Sequence, residues 1–160
     1  MGNPQHLELI KQGPDTWNRW REEHAEEPVD LSESDLRGTN LKGVNLKGAN
    51  LKAAKLQFAN LAGALLEGAD LSRARLQETN LEKAQLPDAV VSHCNLMESN
   101  VQGANFERAD LSGSQFNEDV LFFKANLKGA NLTNASGLHP ASIQGAILDK
   151  TTKLPDYLTD

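Results

Sequence analysis

A five-residue period runs through most of this chain. Stepping by five from Leu31 reaches Leu36, Leu41, Leu46, Leu51, Leu56, Leu61, Leu66, Leu71, Leu76, Leu81, Leu86, Val91, Leu96, Val101, Phe106, Leu111 and Phe116, and all eighteen positions are apolar. Apolar residues make up 39% of the sequence. Chance would give such a run with a probability of roughly 10⁻⁸ to 10⁻⁷, so the period is real. Two residues before each centre sits a small side chain, Ala at ten of the eighteen and otherwise Ser, Thr, Val or Cys94. Asn or Asp is common just before the centre, as at Asn50, Asp70 and Asn105. The two residues after it are mostly polar or Gly.

Five suits neither common element. In a helix, five steps of ~100° carry successive Leu around the axis. In a flat strand an odd step alternates faces. The chain keeps every fifth residue inside only by turning a corner once per pentad and coiling about an axis. The centre and the small residue then fill a narrow interior, and the polar pair makes the corner outside. Val and Ile total nine residues and aromatics only 5%, which disfavours an ordinary sandwich or barrel.

The pattern resembles the pentapeptide-repeat family, whose motif is Ala-(Asp/Asn)-Leu-x-x. It stands here as Ala49-Asn50-Leu51-Lys52-Ala53, Ala59-Asn60-Leu61-Ala62-Gly63, Ala69-Asp70-Leu71-Ser72-Arg73 and Ala104-Asn105-Phe106-Glu107-Arg108. The resemblance implies an all-β solenoid, a right-handed quadrilateral parallel β-helix with four pentads per coil and an α-helical N-terminal cap. The expected division is a helical cap over residues 1–28, the β-helix over 29–135 and a C-terminal cap and tail over 136–160. Five or so coils at the strand spacing of ~4.8 Å make a rod on the order of 25 Å long.

Twenty residues per coil allow the sequence to be read in columns. Leu31, Leu51, Leu71, Val91 and Leu111 form one interior column. Asn40, Asn60, Asn80 and Asn100 form a homogeneous column and are expected to hydrogen-bond as an amide ladder. Asp35 is placed to pair with Lys55. The period slips once: Ala125-Asn126-Leu127 counts back to Phe122 as a centre and Val120 as its small residue. One extra residue within Asn117–Asp119 is expected to form a bulge.

Solenoids leave unpaired backbone at each end and need caps. Residues 4–25 read as helical, broken at Gly13-Pro14, with Asp15 as the expected N-cap of the second segment. Trp17 and Trp20, three apart, share one helical face and are expected on the open end of the first coil. The stretch Gly-Pro-Asp-Thr-Trp-Asn-Arg-Trp-Arg is similar to openings of cyanobacterial and related bacterial pentapeptide-repeat proteins. His139-Pro140 and Leu154-Pro155 suggest a short irregular or helical C-terminal cap.

Candidate surface features are outward columns. Arg37, Lys42, Lys47 and Lys52 follow consecutive centres and encircle the first coil. Gly43, Gly63 and Gly103 stack at one corner, interrupted by Lys83, and leave it bare. Phe58 is expected to point outward between Gly38 and Glu78, and Met97 lies at a neighbouring outward position. These residues form the candidate protein-binding surface.

Catalytic constellations are missing. His6, His24, His93 and His139 show no metal-ligand spacing, and Cys94 is the only cysteine. Cys94 falls on a small inward position while His93 points out, so they make no catalytic pair. No phosphate loop or nucleophile elbow occurs. No enzyme activity, cofactor or metal is expected. The segment 29–135 carries 11 basic and 13 acidic side chains within a net charge of −6. That balance speaks against direct nucleic-acid binding, which wants a clustered basic face. The longest notable apolar run, Val120-Leu121-Phe122-Phe123, is far short of a membrane span. The sequence is therefore expected to be a cytoplasmic, non-enzymatic scaffold or regulatory binding protein with a protein partner, as a monomer or weak dimer. The family resemblance also admits a DNA-mimicking modulator of DNA gyrase or topoisomerase.

Overall fold

The computed structural model describes residues 1–159. Nearly all the pairing between residues 30 and 115 follows one rule. Residue n forms a parallel bridge with n+20, from Asp30 with Asn50 to Asn95 with Gln115. Four bridges recur per turn, for instance at Asp30, Asp35, Asn40 and Asn45, so each coil has four sides. The bridges are isolated rather than joined into strands. A corner interrupts every side after one bridging residue, so the sheet character lies across coils and not along the chain.

The corner has a uniform construction. The N–H of the small residue donates to the C=O of the preceding centre, as from Ala49 to Leu46 at 3.1 Å. The second residue after the centre has positive φ, 65° at Gly43 and 58° at Asp88. Type II turns require that conformation at this position. Its N–H also reaches the next coil, as from Gly43 to the C=O of Ala62 at 2.9 Å.

The centres Leu31 through Leu111 are fully buried, together with small residues such as Ala54, Ala64 and Ala69. At three of the polar small positions the hydroxyl bonds a centre's carbonyl: Thr79 Oγ1 donates to Leu56 C=O at 2.8 Å, Ser99 Oγ to Leu96 C=O at 2.6 Å and Ser114 Oγ to Val91 C=O at 2.6 Å. Buried hydroxyls are thereby satisfied without leaving the interior.

The expected amide ladder is not formed at Asn40, Asn60, Asn80 and Asn100. Each Oδ1 instead accepts the backbone N–H two residues on, from Lys42, Ala62, Glu82 and Gln102 at 3.0 to 3.2 Å. Asn50, Asp70, Asn105 and Asp110 do the same. The preference for Asn or Asp before the centre is therefore a local turn requirement.

Two helices cover the start of the coil, α1 at Pro4–Ile10 and α2 at Pro14–Glu23. Asn3 caps α1, its side chain accepting the N–H of Gln5. Gly13, with φ 112°, is the N-cap of α2, and Pro14 takes the first helical position. Asp15 is thus a first-turn residue and not the cap. Its charge still lies at the favourable end of the helix dipole.

The register slips where the sequence places the slip. Bridges change to n+21 at Asn105 with Asn126, and the turn is shifted so that Val120 N–H donates to Asn117 C=O. Phe122 and Val120 are fully buried. Phe122 packs edge-to-face with Phe106 and Phe116, ring centroids 5.9 and 5.6 Å apart. Backbone pairing continues beyond residue 135, through Asn126 with Ile147 and Asn131 with Lys153. A third helix, α3 at Pro140–Ile143, interrupts this last coil. The repeat motif fades there because α3 and a bend at Gly137 replace regular corners.

Candidate binding surface

The corner column Gly43, Gly63 and Gly103 has φ near 65° throughout. A Cβ built at Gly43 or Gly63 would touch nothing within 4 Å. Backbone conformation, not crowding, therefore favours glycine there. Among the described residues, twelve other than glycine adopt the same positive φ, including Lys83 in this column and Phe58 in another. Their side chains stand away from the rod.

Phe58 is 61% exposed, and Met97 lies at the border of exposure. Phe58 faces a shallow hollow lined also by Lys11, Asp35, Arg37, Gly38 and Thr39. Gly38, one coil before Phe58, offers no side chain to cover the ring.

The basic residues of the first coil are mostly neutralised. Arg37 binds Asp35 through two nitrogens at 2.7 and 2.9 Å. Asp35 is therefore not paired with Lys55, because an arginine two residues away in the same turn makes a fork contact that a lysine one coil below cannot match. The Arg37 guanidinium holds the Asp35 carboxyl well below the usual carboxylate range. Lys47 lies 3.5 Å from Glu67 and Lys52 3.9 Å from Asp70. Lys42 has no acidic partner among the described residues. The four cations thus do not add up to a positive belt.

An apolar patch at the slip was not picked out as a site from the sequence. Leu121 and Phe123 flank the buried Phe122 and are 42% and 48% exposed. They line a hollow with Gln102, Ala141, Gln144 and Gly145. The signal lay in the run Val120-Leu121-Phe122-Phe123, of which the pentad rule buries only alternate members.

Cys94 is buried, and its Sγ donates to Leu71 C=O at 2.9 Å. Burial pushes its thiol up to about 12. His93 projects outward at φ 56°. The two side chains do not meet. Among the described residues no group of His, Cys, Asp or Glu is arranged to hold a metal ion. No described helix is long and apolar enough to cross a membrane.

Comparison with solved structures gives a pentapeptide repeat protein from the Arabidopsis thaliana thylakoid lumen at 27% identity and TM-score 0.63, covering 65% of this chain and 71% of that one. QnrB1, a plasmid-mediated fluoroquinolone resistance protein, is 27% identical at TM-score 0.40, covering 75% and 57%. HetL of Nostoc sp. strain PCC 7120, involved in heterocyst differentiation regulation, is 28% identical at TM-score 0.29, covering 72% and 50%. A search of curated proteins finds no match. The family model for pentapeptide repeats matches in eight copies, over residues 30–68, 54–92, 74–113 and 102–136. With more than half of its length matched to that model, the chain belongs to the pentapeptide-repeat family.

Proposed function

We propose that this protein is a non-enzymatic scaffold for protein–protein contact, a right-handed quadrilateral rod whose flank receives a partner. The contact surface comprises Phe58, Met97, the bare corners at Gly43, Gly63 and Gly103, and the basic side chains Arg37, Lys42, Lys47 and Lys52. On this reading it works in the cytoplasm as a monomer or weak dimer, without a cofactor. The observation that carries the reading is the 61% exposure of Phe58 on a backbone tied to the coils on either side. A large ring held outward on a rigid frame loses little conformational freedom when a partner covers it.

The interior supports the same view. It is filled by leucines and alanines, and its one thiol is closed off. Proteins of this family are generally structural or binding proteins. Mimicry of DNA toward gyrase asks for a large negative excess, whereas residues 29–135 carry 13 acidic side chains against 11 basic ones.

The test is capture of partners from cell lysate by the tagged chain, with Phe58→Glu as the matched control. A partner enriched by the wild type and lost in the variant is expected. Capture unchanged by Phe58→Glu, Met97→Glu and Gly63→Arg would remove this surface from consideration.

A further inference from the structure

The cap closes only half of the first coil. On two of its sides the free backbone groups are taken up. Asn3 N–H donates to Asp30 C=O at 2.9 Å, and Asp30 N–H donates to His6 Nδ1 at 3.2 Å. Trp17 Nε1 donates to Asn45 C=O at 2.8 Å, and Asn45 N–H donates to Asn18 Oδ1 at 2.7 Å.

The sides at Asp35 and Asn40 are different. Asp35 is tied to the coil below through its neighbours: Leu36 N–H donates to Lys55 C=O, and Lys55 N–H donates to Ser34 C=O. Asn40 is tied to Asn60 in the same way. The N–H and C=O groups of Asp35 and Asn40 therefore face the opposite direction, where a preceding coil would lie. None of these four groups has a protein partner among the described residues. The carbonyls of Arg37 and Lys42 are likewise free there, at the position that in later coils accepts a corner N–H.

We propose that this open edge receives a short segment of another protein by backbone pairing. This deepens the scaffold reading above and rests on it. The pattern of donors and acceptors is what one more pentad side and corner would satisfy, so the occupant is a segment that pairs at Asp35, turns once over Gly38 and pairs again at Asn40. Main-chain bonds of this kind supply affinity, and flanking side chains supply choice of sequence.

Two side-chain features narrow the occupant. Phe58 lines the hollow beside this edge, so an apolar residue is expected at the turn. Lys11 lines the same hollow, and neither it nor Lys42 has an acidic partner among the described residues. The occupant is therefore acidic at the residues beside these two cations. A second copy of the rod does not fit the edge by end-to-end stacking, because α1 and α2 occupy the other half of the same end.

The test uses the full chain and a displayed library of random twelve-residue peptides. Enriched peptides carrying an apolar and an acidic residue are expected. Their affinity, read by fluorescence anisotropy, should fall at least tenfold in Asn40→Pro and in Phe58→Glu but less than threefold in Asn40→Ala. Asn40→Ala already removes the Oδ1 that accepts the Lys42 N–H; relative to it, proline further removes an N–H that the fold does not use, and melting curves check that the variants stay folded. Independently of any variant, amide exchange at Asp35 and Asn40 should slow by at least tenfold when peptide binds. Absence of enriched peptides, binding indifferent to Asn40→Pro, or protection elsewhere than Asp35 and Asn40 overturns the proposal. So does a concentration-dependent dimer that Asn40→Pro abolishes, since a second copy would then be the occupant. If lysate capture through Phe58 persists in Asn40→Pro, the edge fails while the scaffold reading stands. Loss of neither capture nor peptide binding in Phe58→Glu removes both.

Discussion

The coils up to residue 115 and those after it are built from the same pentads but hold together differently. In the first region every side repeats at n+20 and each corner bonds the next coil. In the second the offset becomes 21 and then 22, and one side is lost. By the repeat, Val101 N–H would donate to the coil below, yet it has no partner among the described residues. The neighbouring Leu121, which stands where the pattern wants Asn, makes no bridge. The core compensates: Phe106, Phe116 and Phe122 form an edge-to-face cluster where the earlier coils stack leucines. Regular backbone pairing tolerates small uniform side chains. A broken ladder is bridged by larger rings that reach further.

The sharpest way to break this contrast is to charge the regular core. Leu71 is fully buried between coils. Leu71→Asp should cost on the order of 4 kcal/mol or more, because a carboxylate there finds neither water nor partner. Chemical denaturation followed by circular dichroism should show the cooperative transition lost or collapsed to low denaturant. In the irregular region Phe122→Ala should cost about 3–5 kcal/mol. Its effect is confined to the end of the rod: amide exchange should accelerate from Ala104 onward while residues 50–90 keep their protection. Uniform acceleration along the rod would mean that the two regions are a single cooperative unit.

Cys94 probes the regular interior by titration. Its thiol is held at about 12 against an unfolded value of 9.0, by burial. A group whose folded value is raised stabilises the fold fully below the unfolded value and loses that contribution as pH climbs through the folded one. Stability relative to Cys94→Ala should therefore decline between about pH 9 and 12 and be flat below. An identical pH profile in the variant would show that the thiol does not share the closed core. In the native protein at neutral pH, Cys94 should also resist thiol reagents until denaturant is added.

Much of this was legible from spacing alone. The five-residue run of leucines and the slip near Asn117 are consequences of volume in a narrow interior, and volume is written in side-chain identity; the twenty-residue stacking came from the resemblance to the pentapeptide-repeat family, whose coil holds four pentads. What spacing hid was direction. Asn60 looked like a rung in a ladder along the rod, but its amide turns to the N–H of Ala62. Asp35 looked like a partner for the next coil, but Arg37 lies closer along the chain. In both cases the bond that forms lies within the turn and not between coils. The candidate surface was legible at Phe58, whose corner position exposes any side chain. The patch at Leu121 and Phe123 was not, because a buried centre lies between them. The open edge at Asp35 and Asn40 was hidden because it depends on which sides α1 and α2 cover.

The smallest predicted effects test the turn rule in both regions. Asn80 Oδ1 accepts the N–H of Glu82 at 3.0 Å. Asn80→Ala should cost about 1 kcal/mol, the net worth of a hydrogen bond that water partly replaces. Leu121 occupies the same motif position after the slip, and the N–H of Phe123 two residues on has no partner among the described residues. Leu121→Asn should therefore gain about 0.5 kcal/mol by supplying the missing acceptor and withdrawing exposed apolar surface. Denaturant midpoints of the two variants should move in opposite directions. If Leu121→Asn is destabilising, the exposed leucine is packing against its flanking residues, and the slip is held by side-chain contact where the regular coils rely on capped corners.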